Sequence, residues 1–391
     1  MIPLIQPLLD SQEEDAIIQV IRSGWVTQGP EVKAFEDEFA QEVNAKHAVA
    51  VSSCTSALHL ALKAVNVERG DEVIVPTFSY IASANAVRYC NATPCFVDID
   101  PITFNLDPSK IESAINAKTK AILCVHQMGM PCNLDKILEV SKSTGIPIVE
   151  DAACAIGSKI KLKNQDWEHV GKPHGLIAAF SFHPRKVLTT GDGGMLTTND
   201  DSLAKKFRLW RQHGMSVSDA FRHGSPEVIF EKYEELGYNY RMTDLQASIG
   251  RVQLKKLKLI VSKRREIASL YNNVMGKLPG ATLPTELSNV ISNWQSYCVR
   301  LADDGPSIRM VMQHLLDKGI STRRGIPSAH KELTYHNTYC ATWEGKKEGK
   351  EPKLNESLRA SNRCILLPLH HNLKKEDILF IKKTLKEVLN K

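Results

Sequence analysis

The chain has 391 residues, of which 42% are hydrophobic and 24% are charged, a composition typical of a globular protein with a large buried core. The net charge of +6 is small, and no basic stripe is interleaved with aromatic residues, so nucleic-acid binding is not indicated. No apolar stretch approaches the roughly 20 residues of a membrane span. The nine cysteines form no CxxC pair, so we expect no zinc site and a reducing, cytoplasmic compartment without a signal peptide.

The first predicted element is a helix near the start of the chain. Ser11 is a suitable N-cap residue, and Glu14 follows it at the spacing of a capping box. We therefore expect this helix to begin directly after Ser11.

Short apolar strands alternate with helical patterns from about residue 45 to residue 200. The predicted strands read HAVAVSS, DEVIVP, TPCFVDI, KAILCVH and IPIVED, and helical segments such as SALHLALKAV separate them. This alternation predicts an α/β domain in which helices cover both faces of a mostly parallel sheet. Ligands bind such sheets at the carboxyl ends of the strands. Polar residues cluster there in this sequence, at Ser53, Thr55, Thr77, His126 and Asp151.

The pattern changes near residue 245, where helical periodicity continues for some thirty residues from Met242 to Met275. We interpret this segment as a long helix that links two domains. The strand SYCVRL and the helices SIRMVMQHLLDKG and KEDILFIKKTLKEVL follow it and indicate a smaller α+β domain. The predicted boundaries are residues 1–245 for the large domain, with its N-terminal helical segment, and 246–391 for the small one. A polar loop is expected at residues 346–353.

One lysine, Lys186, ends an apolar run in the stretch FSFHPRKVLTTGDGGMLTT. Burial disfavours an ammonium ion, so we expect the pKa of a buried Lys186 to be lowered and its amine to be nucleophilic. A lysine that extends to the surface is the structural alternative. Gly191, Gly193 and Gly194 follow, and they indicate either a sharp bend around a ligand or a simple hairpin turn.

A carboxylate, Asp151, ends the predicted strand IPIVED. Alone it is more typical of a turn cap than of a catalytic group. A lysine for an aldehyde and an acid for a pyridinium nitrogen are together what pyridoxal 5'-phosphate requires. The segment SSCTSA (residues 52–57) joins a strand to a helix, whose first amides can bind a phosphate. Tyr80 follows another strand and is a candidate either to stack on the cofactor ring or to pack in the core.

Seven stretches along nearly the whole chain resemble, in order, the DegT/DnrJ/EryC1/StrS family of sugar aminotransferases that use pyridoxal phosphate. They are SGWVTQGPEVKAFEDEFA, VSSCTSALHLAL, DEVIVPTFSYIASANAV, DPITFNLD, IVEDAACAIGS, FSFHPRKVLTTGDGGMLTT and GYNYRMTDLQASIG. Each stretch is weak alone, but seven in the order of the family are specific. The resemblance implies the fold of type I pyridoxal phosphate enzymes, which is that of aspartate aminotransferase.

The resemblance also implies roles for residues around the cofactor ring. By position, Lys186 is the lysine that binds the cofactor covalently, Asp151 pairs with the pyridine nitrogen, and Tyr80 stacks on the ring. Relatives commonly have His or Gln where this chain has Cys154, and that side chain donates to the phenolic oxygen of the cofactor. A thiol is a weaker donor, so Cys154 is interpreted either as a cofactor ligand or as a packing residue.

Four further positions match the residues that hold the cofactor phosphate in the family. The backbone of Cys54 and Thr55 and the hydroxyl of Ser181 match one half of that site. Asn239, in GYNYR, matches a residue that reaches the phosphate of the neighbouring subunit, which implies a homodimer with shared active sites. The family often has glycine at the position of Cys54, and the backbone contact is preserved only if Cys54 does not need a positive φ.

Three residues are candidates for substrate binding by the same resemblance. Arg323 and His330 lie in the stretch GISTRRGIPSAHKELTY, and His183 lies three residues before Lys186. Arg323 is suited to pair with a diphosphate or with a donor carboxylate. A surface arginine and a core histidine are the structural alternatives.

The motifs DPITFNLD and FSFHPRK are most similar to the perosamine-synthase-like branch. That branch implies transfer of an amino group from L-glutamate to C4 of a nucleotide-linked 4-keto-6-deoxyhexose, for surface polysaccharide or glycan synthesis. The alternatives are a 3-aminotransferase, a dehydratase of the same fold and a non-catalytic regulator that binds the cofactor. The dehydratases typically have His at the position of Lys186, and a nicotinamide enzyme would need a GxGxxG motif that SSCTSA lacks.

Overall fold

The computed structural model describes residues 1–163, 165–217, 219–335 and 354–390, so the polar loop expected at residues 346–353 lies outside the described residues. The helices are α1 (Ser11–Ser23), α2 (Pro30–Val43), α3 (Cys54–Ala64), α4 (Ala82–Tyr89), α5 (Ile111–Ala114), α6 (Leu134–Thr144), α7 (Asp201–Trp210), α8 (Asp219–Gly224), α9 (Asp244–Met275), α10 (Ile308–Asp317), α11 (Asn355–Arg363) and α12 (Lys375–Leu389). The strands are β1 (His47–Val51), β2 (Glu72–Pro76), β3 (Thr93–Val97), β4 (Thr119–Val125), β5 (Ile148–Asp151), β6 (Lys159–Lys161), β7 (Trp167–His169), β8 (Ile177–Ser181), β9 (Gly194–Thr198), β10 (Ala281–Thr282), β11 (Val290–Ile291), β12 (Tyr297–Leu301), β13 (Arg323–Arg324) and β14 (Cys364–Leu367).

The N-terminal helix is present, but the predicted cap is wrong by one residue. Asp10 is the N-cap of α1, and its carboxylate accepts from the backbone N–H of Gln12 at 2.9 Å. Glu13 completes the capping box through a 2.9 Å hydrogen bond from the Asp10 N–H. Asp and Ser are both good caps, and acidic residues stand three positions after each, so the sequence pattern fits both registers.

The large sheet has seven strands in the order β1-β9-β8-β5-β4-β2-β3. The strands β8, β5, β4, β2 and β3 pair in parallel, whereas β9 runs antiparallel to both β1 and β8. The carboxyl ends of the parallel strands therefore meet at one edge. The predicted α/β class with a mostly parallel sheet is confirmed.

Both faces of this sheet are covered by helices because its side chains alternate between two cores. In β1, Val49 and Val51 pack in the core that includes α3, α4 and α7. Ala48 and Ala50 of the same strand point to the other face, where α2 and α9 supply the core. Because both faces of the sheet are buried, its strands are near-continuous apolar runs in the sequence.

Helix α9 is the long helix that the periodicity predicts. The carboxylate of Asp244, in its first turn, accepts from the backbone N–H groups of Gly29, Glu31 and Val32 at the start of α2. Its C-terminal half packs in the core of the four-stranded antiparallel sheet, whose order is β10-β12-β14-β13. One helix therefore contacts both sheets.

A small three-stranded sheet, β11-β6-β7, continues from β5 and places residues 293–295 beside the large sheet. The Asn293 side chain donates to the backbone carbonyls of Cys154 and Ile156, at 2.8 Å each. Among the residues that the structure describes, no helix is both long and apolar enough to cross a membrane.

Candidate active site at the carboxyl edge of the large sheet

Asp151 lies at the carboxyl end of β5 and is buried, with 4% of its surface exposed. Its Oδ2 accepts from the hydroxyl of Ser83 at 2.8 Å, and its Oδ1 accepts from the backbone N–H of Ala153 at 3.1 Å. Burial raises the pKa of Asp151, and these two donors together with nearby Lys186 oppose that rise. The carboxylate is therefore held in one orientation in a site of low polarity.

The sequence suggests that Lys186 ends a strand, but in the structure it does not. β8 ends at Ser181, and Lys186 lies in the following turn, where its backbone N–H donates to the His183 carbonyl at 2.8 Å. Pro184 has no N–H for a sheet partner and therefore helps to end the pairing before Lys186. The side chain returns toward the sheet, and its Nζ lies 3.0 Å from the Sγ of Cys154.

The electrostatic environment of Lys186 differs from the expectation of a lowered pKa. Burial does act to lower the pKa of its ammonium, but Cys154, Cys54 and Asp151 surround it with sulfur and carboxylate groups. Those neighbours outweigh burial and raise the pKa of Lys186 above its usual value. In the cofactor-free protein the lysine is therefore a cation held among groups that stabilise its charge.

The start of α3 presents free backbone donors next to this cluster. Ser53 is the N-cap, and its hydroxyl accepts from the N–H of Ser56 at 3.1 Å. In the part of the chain that the structure describes, the N–H groups of Cys54 and Thr55 donate to no protein acceptor. Cys54 is the first helical residue and is not among the residues of positive φ, so a cysteine fits there without strain.

Gly194 lets strand β9 approach this helix start closely. It pairs with Val51 of β1 on one side and with Ser181 of β8 on the other. A Cβ at Gly194 would lie 2.4 Å from the carbonyl carbon of Ser53 and 2.6 Å from the N of Cys54. The close approach of the two backbones therefore requires glycine at residue 194. It brings the first turn of α3 next to the end of β8, where Ser181 lies. Gly191 has a φ of +83°, which the turn before β9 requires.

Tyr80 and Asn239 are not in contact with the Lys186 cluster within the described chain. Tyr80 follows β2 and is 62% exposed. Asn239 is exposed and pairs through its backbone with Gln212. Its neighbours Tyr238 and Tyr240 stack at 5.0 Å, and the carbonyl of Tyr240 accepts from the N–H of Ser52 at 2.8 Å. The segment that carries Asn239 is therefore fixed beside the end of β1, with the amide directed outward.

His183 is exposed in the turn before Lys186. Partial burial lowers the pKa of His183, Arg185 and Lys186 lower it further, and Asp192 opposes them. Its Nδ1 accepts from the backbone N–H of Arg185 at 3.2 Å, so the other ring nitrogen carries the proton in the neutral ring. His183 therefore lies at the rim of the site as a neutral imidazole near pH 7.

Arg323 and His330 belong to the part of the chain that follows α10. Arg323 starts β13 and pairs with Leu366 of β14. His330 is buried, and its Nδ1 lies 2.7 Å from the hydroxyl of Thr77, just beyond β2. The contact with Thr77 agrees better with a packing role for His330 than with the predicted role in substrate binding.

Ser83, the residue that orients Asp151, is not predicted as a site residue from the sequence. The Ser83 hydroxyl also lies 2.8 Å from the hydroxyl of Ser79, which forms a short chain of hydroxyls that ends on the carboxylate. The only signal in the sequence is a serine in the first turn of a helix after a parallel strand. That position faces the carboxyl edge of the sheet, but many serines occupy such turns for capping alone.

A second buried network, which includes Glu150, supports the strand that carries Asp151. Glu150 Oε1 accepts from the backbone N–H groups of His174 and Gly175, at 2.8 and 2.7 Å. Its Oε2 lies 3.1 Å from Nε2 of His126, whose Nδ1 accepts from the N–H of Cys132. Because Nδ1 accepts a backbone N–H, we assign His126 as the neutral Nε2–H tautomer that donates to Glu150. The end of β5 is thereby fixed.

These features fit the cofactor that the sequence suggests. An amine, a buried carboxylate 35 positions before it in the chain and a pair of backbone N–H donors lie at one edge of the sheet. The free donors suit a phosphate, and the buried carboxylate suits a protonated ring nitrogen. Cys154 directs its thiol at the lysine rather than into the core, which favours the ligand interpretation over the packing one.

Comparison with known proteins gives consistent matches over the whole chain. The model of the DegT/DnrJ/EryC1/StrS aminotransferase family matches residues 7–386. GDP-perosamine synthase of Escherichia coli O157:H7 is 37% identical over 389 residues, which cover 99% of this chain and 98% of that protein. The spore coat polysaccharide biosynthesis protein SpsC of Bacillus subtilis is 36% identical over 380 residues, covering 96% and 94%.

A solved structure extends the match to three dimensions. Spr1654 of Streptococcus pneumoniae is 28% identical, with TM-scores of 0.87 in its PMP-form and 0.85 in its PLP-form. The alignment covers 100% of this chain and 99% or 98% of the two forms. The fold class and the family predicted from the seven sequence stretches are confirmed.

Proposed function

The chain belongs to the DegT/DnrJ/EryC1/StrS aminotransferase family, and from that premise we propose that it transfers the amino group of L-glutamate to C4 of a nucleotide-linked 4-keto-6-deoxyhexose. Pyridoxal 5'-phosphate is the cofactor of this aminotransferase. The observation that carries the proposal is the cluster of Lys186, Asp151 and Cys154 beside the free donors of α3.

Lys186 would bind the cofactor covalently, and Asp151 would face its ring nitrogen. When bound, pyridoxal phosphate supplies an aldehyde that takes up the amino group and a ring that stabilises negative charge on the neighbouring carbon. The Asp151 carboxylate keeps a proton on the ring nitrogen, and Ser83 holds that carboxylate in place. The Lys186 Nζ would then carry a proton from the α-carbon of the amino donor to the carbon that held the cofactor aldehyde.

The phosphate would lie between the first turn of α3 and Ser181. The N–H groups of Cys54 and Thr55 and the hydroxyl of Ser181 are the donors of one subunit. Asn239 would reach the phosphate of the neighbouring subunit in a homodimer. Its exposed amide on a fixed backbone supports this role.

Exposed apolar residues near Asn239 also support a dimer. Val228 and Phe230 are 85% and 87% exposed, and Leu236 is 76% exposed. Apolar groups clustered on one surface segment mark protein contacts more often than isolated ones do. A second subunit on this segment would cover them and bring Asn239 to the shared site.

The relatives support a nucleotide sugar as the acceptor. One is named a GDP-perosamine synthase and another a spore coat polysaccharide biosynthesis protein, so we place this chain in surface polysaccharide or glycan synthesis. His183 would contact the sugar, and its exposed, neutral imidazole in the turn before Lys186 supports this role. Arg323 remains our candidate for the diphosphate, and His330 for a supporting role through Thr77.

Lys186 favours amino transfer over the two other functions of this fold. A dehydratase typically replaces that lysine with His, and a non-catalytic regulator does not need the pair of Lys186 and Asp151. Amination at C3 instead of C4 is the alternative within the aminotransferases. It would need the same residues at the cofactor and differ only in how the sugar lies.

Two half-reactions test this function. The enzyme loaded with pyridoxal phosphate should convert L-glutamate to 2-oxoglutarate once per site, with loss of the visible absorbance of the aldehyde form. Adding a nucleotide-linked 4-keto-6-deoxyhexose should restore that absorbance and give a 4-amino sugar. The variant Lys186→Ala is the control and should do neither. A 3-amino product, or no reaction with any keto sugar after reaction with glutamate, would contradict the assignment.

A further inference from the structure

Cys154 and Lys186 bring a thiol and an amine into direct contact, and the backbone on each side of that contact is held by hydrogen bonds. Sγ and Nζ are 3.0 Å apart, and both residues are half-buried. The two residues are 32 positions apart in the chain and meet only through the fold.

One short segment holds both partners in place. Asn293 donates to the carbonyl of Cys154 at 2.8 Å, and the side chain of Gln295 donates to the carbonyl of Arg185, the residue before the lysine. The backbones on the two sides of the contact are therefore fixed to the same segment. Groups held at contact distance react far faster than the same groups free in solution.

We propose that Cys154 and Lys186 form a reversible covalent cross-link, a sulfenamide between Sγ and Nζ, when the protein encounters a peroxide. In the first step the Cys154 thiol attacks the peroxide, the O–O bond breaks, and the sulfur becomes a sulfenic acid while the peroxide leaves as an alcohol or water. In the second step the Lys186 ammonium first gives one proton to the solvent, and the amine so formed attacks that sulfur. The S–N bond forms, the S–O bond breaks, and water leaves with the hydroxyl group and one proton of the amine.

The net change to the protein is the loss of two hydrogen atoms, with the peroxide as the oxidant. A small thiol reverses it, because it attacks the sulfur, releases the lysine amine and gives a mixed disulfide that a second thiol reduces. The cross-link occupies the amine that the cofactor needs, so it would block loading of pyridoxal phosphate. That consequence rests on the proposed function, but the cross-link itself does not.

The test treats the cofactor-free, full-length protein with hydrogen peroxide and maps its peptides by mass spectrometry. We expect one peptide pair, joined through residues 154 and 186 and lighter by two hydrogens, that separates after treatment with dithiothreitol. Prior loading with pyridoxal phosphate should protect against it. Cys154→Ser should abolish the cross-link. Cys90→Ser should keep it, since the Cys90 thiol is half-buried beside the carbonyl of His59 instead.

Lys186→Ala separates the two steps. This variant should accumulate the Cys154 sulfenic acid, detected with a dimedone-type probe, in place of the cross-link. The proposal is overturned if the wild-type protein accumulates the same sulfenic acid without a cross-link, if Cys154 instead forms a disulfide with Cys54, or if Cys154 is not oxidised. The mapping is independent of transaminase activity, so its failure would leave the proposed function intact.

Discussion

The carboxylate of Asp151 is costly to bury and useful only when a cation faces it. Burial raises its pKa in the cofactor-free protein. At pH values above the ordinary pKa of aspartate, the ionised carboxylate therefore destabilises the folded state. We expect Asp151→Asn to slow turnover on the order of 100-fold or more, because a neutral amide cannot keep the ring nitrogen protonated. Steady-state kinetics of the loaded enzyme measures this loss.

The same variant should change stability in the opposite direction. Without cofactor, Asp151→Asn should melt higher than the wild-type protein near pH 7, since it removes a buried charge. The sign follows because a raised carboxyl pKa makes the wild-type protein lose stability as the pH rises through it. The difference should shrink as the pH falls below the ordinary aspartate pKa of about 3.9, where the carboxyl group becomes protonated in both the folded and the unfolded state. Near-normal turnover, or a melting difference independent of pH, would contradict this role.

Cys154 allows a second test at the residue scale. Its thiol points at Lys186, so Cys154→Gln should place an amide at the same edge of the site. We expect tighter binding of pyridoxal phosphate with little change in melting temperature, because an amide N–H donates better than a thiol. Cofactor titration and melting temperature, measured on the same variant, give the answer. Unchanged affinity with a stability loss of about 1–3 kcal/mol would instead identify Cys154 as a packing residue.

The sequence predicts the residue types at this site better than their environment. Lys186 and Asp151 stand out because each ends an apolar run, and the resemblance assigns their roles. The pKa direction of Lys186 could not be predicted, because it depends on Cys154 and Cys54, which reach the lysine only through the fold. The same holds for Ser83, which lies 68 residues before Asp151 and meets it only through the fold.

At the scale of elements, the position of strand β9 against helix α3 depends on one glycine. A methyl group at residue 194 would overlap the backbone of Ser53 and Cys54, which cannot move aside as a flexible side chain can. We expect Gly194→Ala to destabilise the fold by about 1–3 kcal/mol and to weaken cofactor binding, because the first turn of α3 shifts. Chemical denaturation and cofactor titration measure the two effects.

Gly305→Ala is the matched control for that substitution. Its φ is not positive, and the Cβ would lie 3.2 Å from the end of the Arg363 side chain and 3.3 Å from the Ala302 carbonyl oxygen, both much longer than the contacts at Gly194. We therefore expect a small change in stability and none in cofactor affinity. If Gly194→Ala behaved like Gly305→Ala, the close approach of β9 to the helix start would not be needed for the phosphate site.

Most elements could be predicted from apolar periodicity, but their ends could not. The strands β1 to β5 and the helices α3 and α9 lie where the patterns place them. The start of α1 was wrong because Asp10 and Ser11 are both good caps, and the pattern does not choose between them. The predicted end of β8 is wrong because the apolar run continues past Ser181 into a turn. Residues of that turn, such as Phe182, are apolar because they pack in the core.

At the scale of the whole molecule, the proposed sites need two subunits. Asn239 would complete the phosphate site of the partner, so Lys186→Ala and Asn239→Asp carry their lesions in different halves of one site. Each homodimer should be inactive or nearly so. Mixed dimers should regain activity, because one of their two sites combines an intact Lys186 with an intact Asn239.

The mixing experiment needs proof that subunits have exchanged. Two different affinity tags allow the mixed dimers to be purified before the assay, and untagged homodimers carried through the same steps are the control. We expect each mixed dimer to have about half the activity of a wild-type dimer, because one of its two sites is intact. A purified mixed dimer without activity would refute shared sites and leave Asn239 as a surface residue.

The sequence predicts the arrangement of the molecule only in part. Alternating strands and helices predict the large sheet, but nothing in the pattern indicates that β9 runs antiparallel or that a separate sheet, β11-β6-β7, supports residues 293–295. Both features depend on contacts distant in sequence. The division near residue 245 stays a prediction, since α9 contacts both large and small sheets.

The central claim is that Lys186 binds pyridoxal phosphate, and chemical trapping tests it most directly. The protein loaded with pyridoxal phosphate is reduced with borohydride, digested and mapped by mass spectrometry. We predict a phosphopyridoxyl group on the peptide that contains Lys186 and none in Lys186→Ala. A stable phosphopyridoxyl group on another lysine, or bound cofactor that borohydride attaches to no lysine, would contradict the claim.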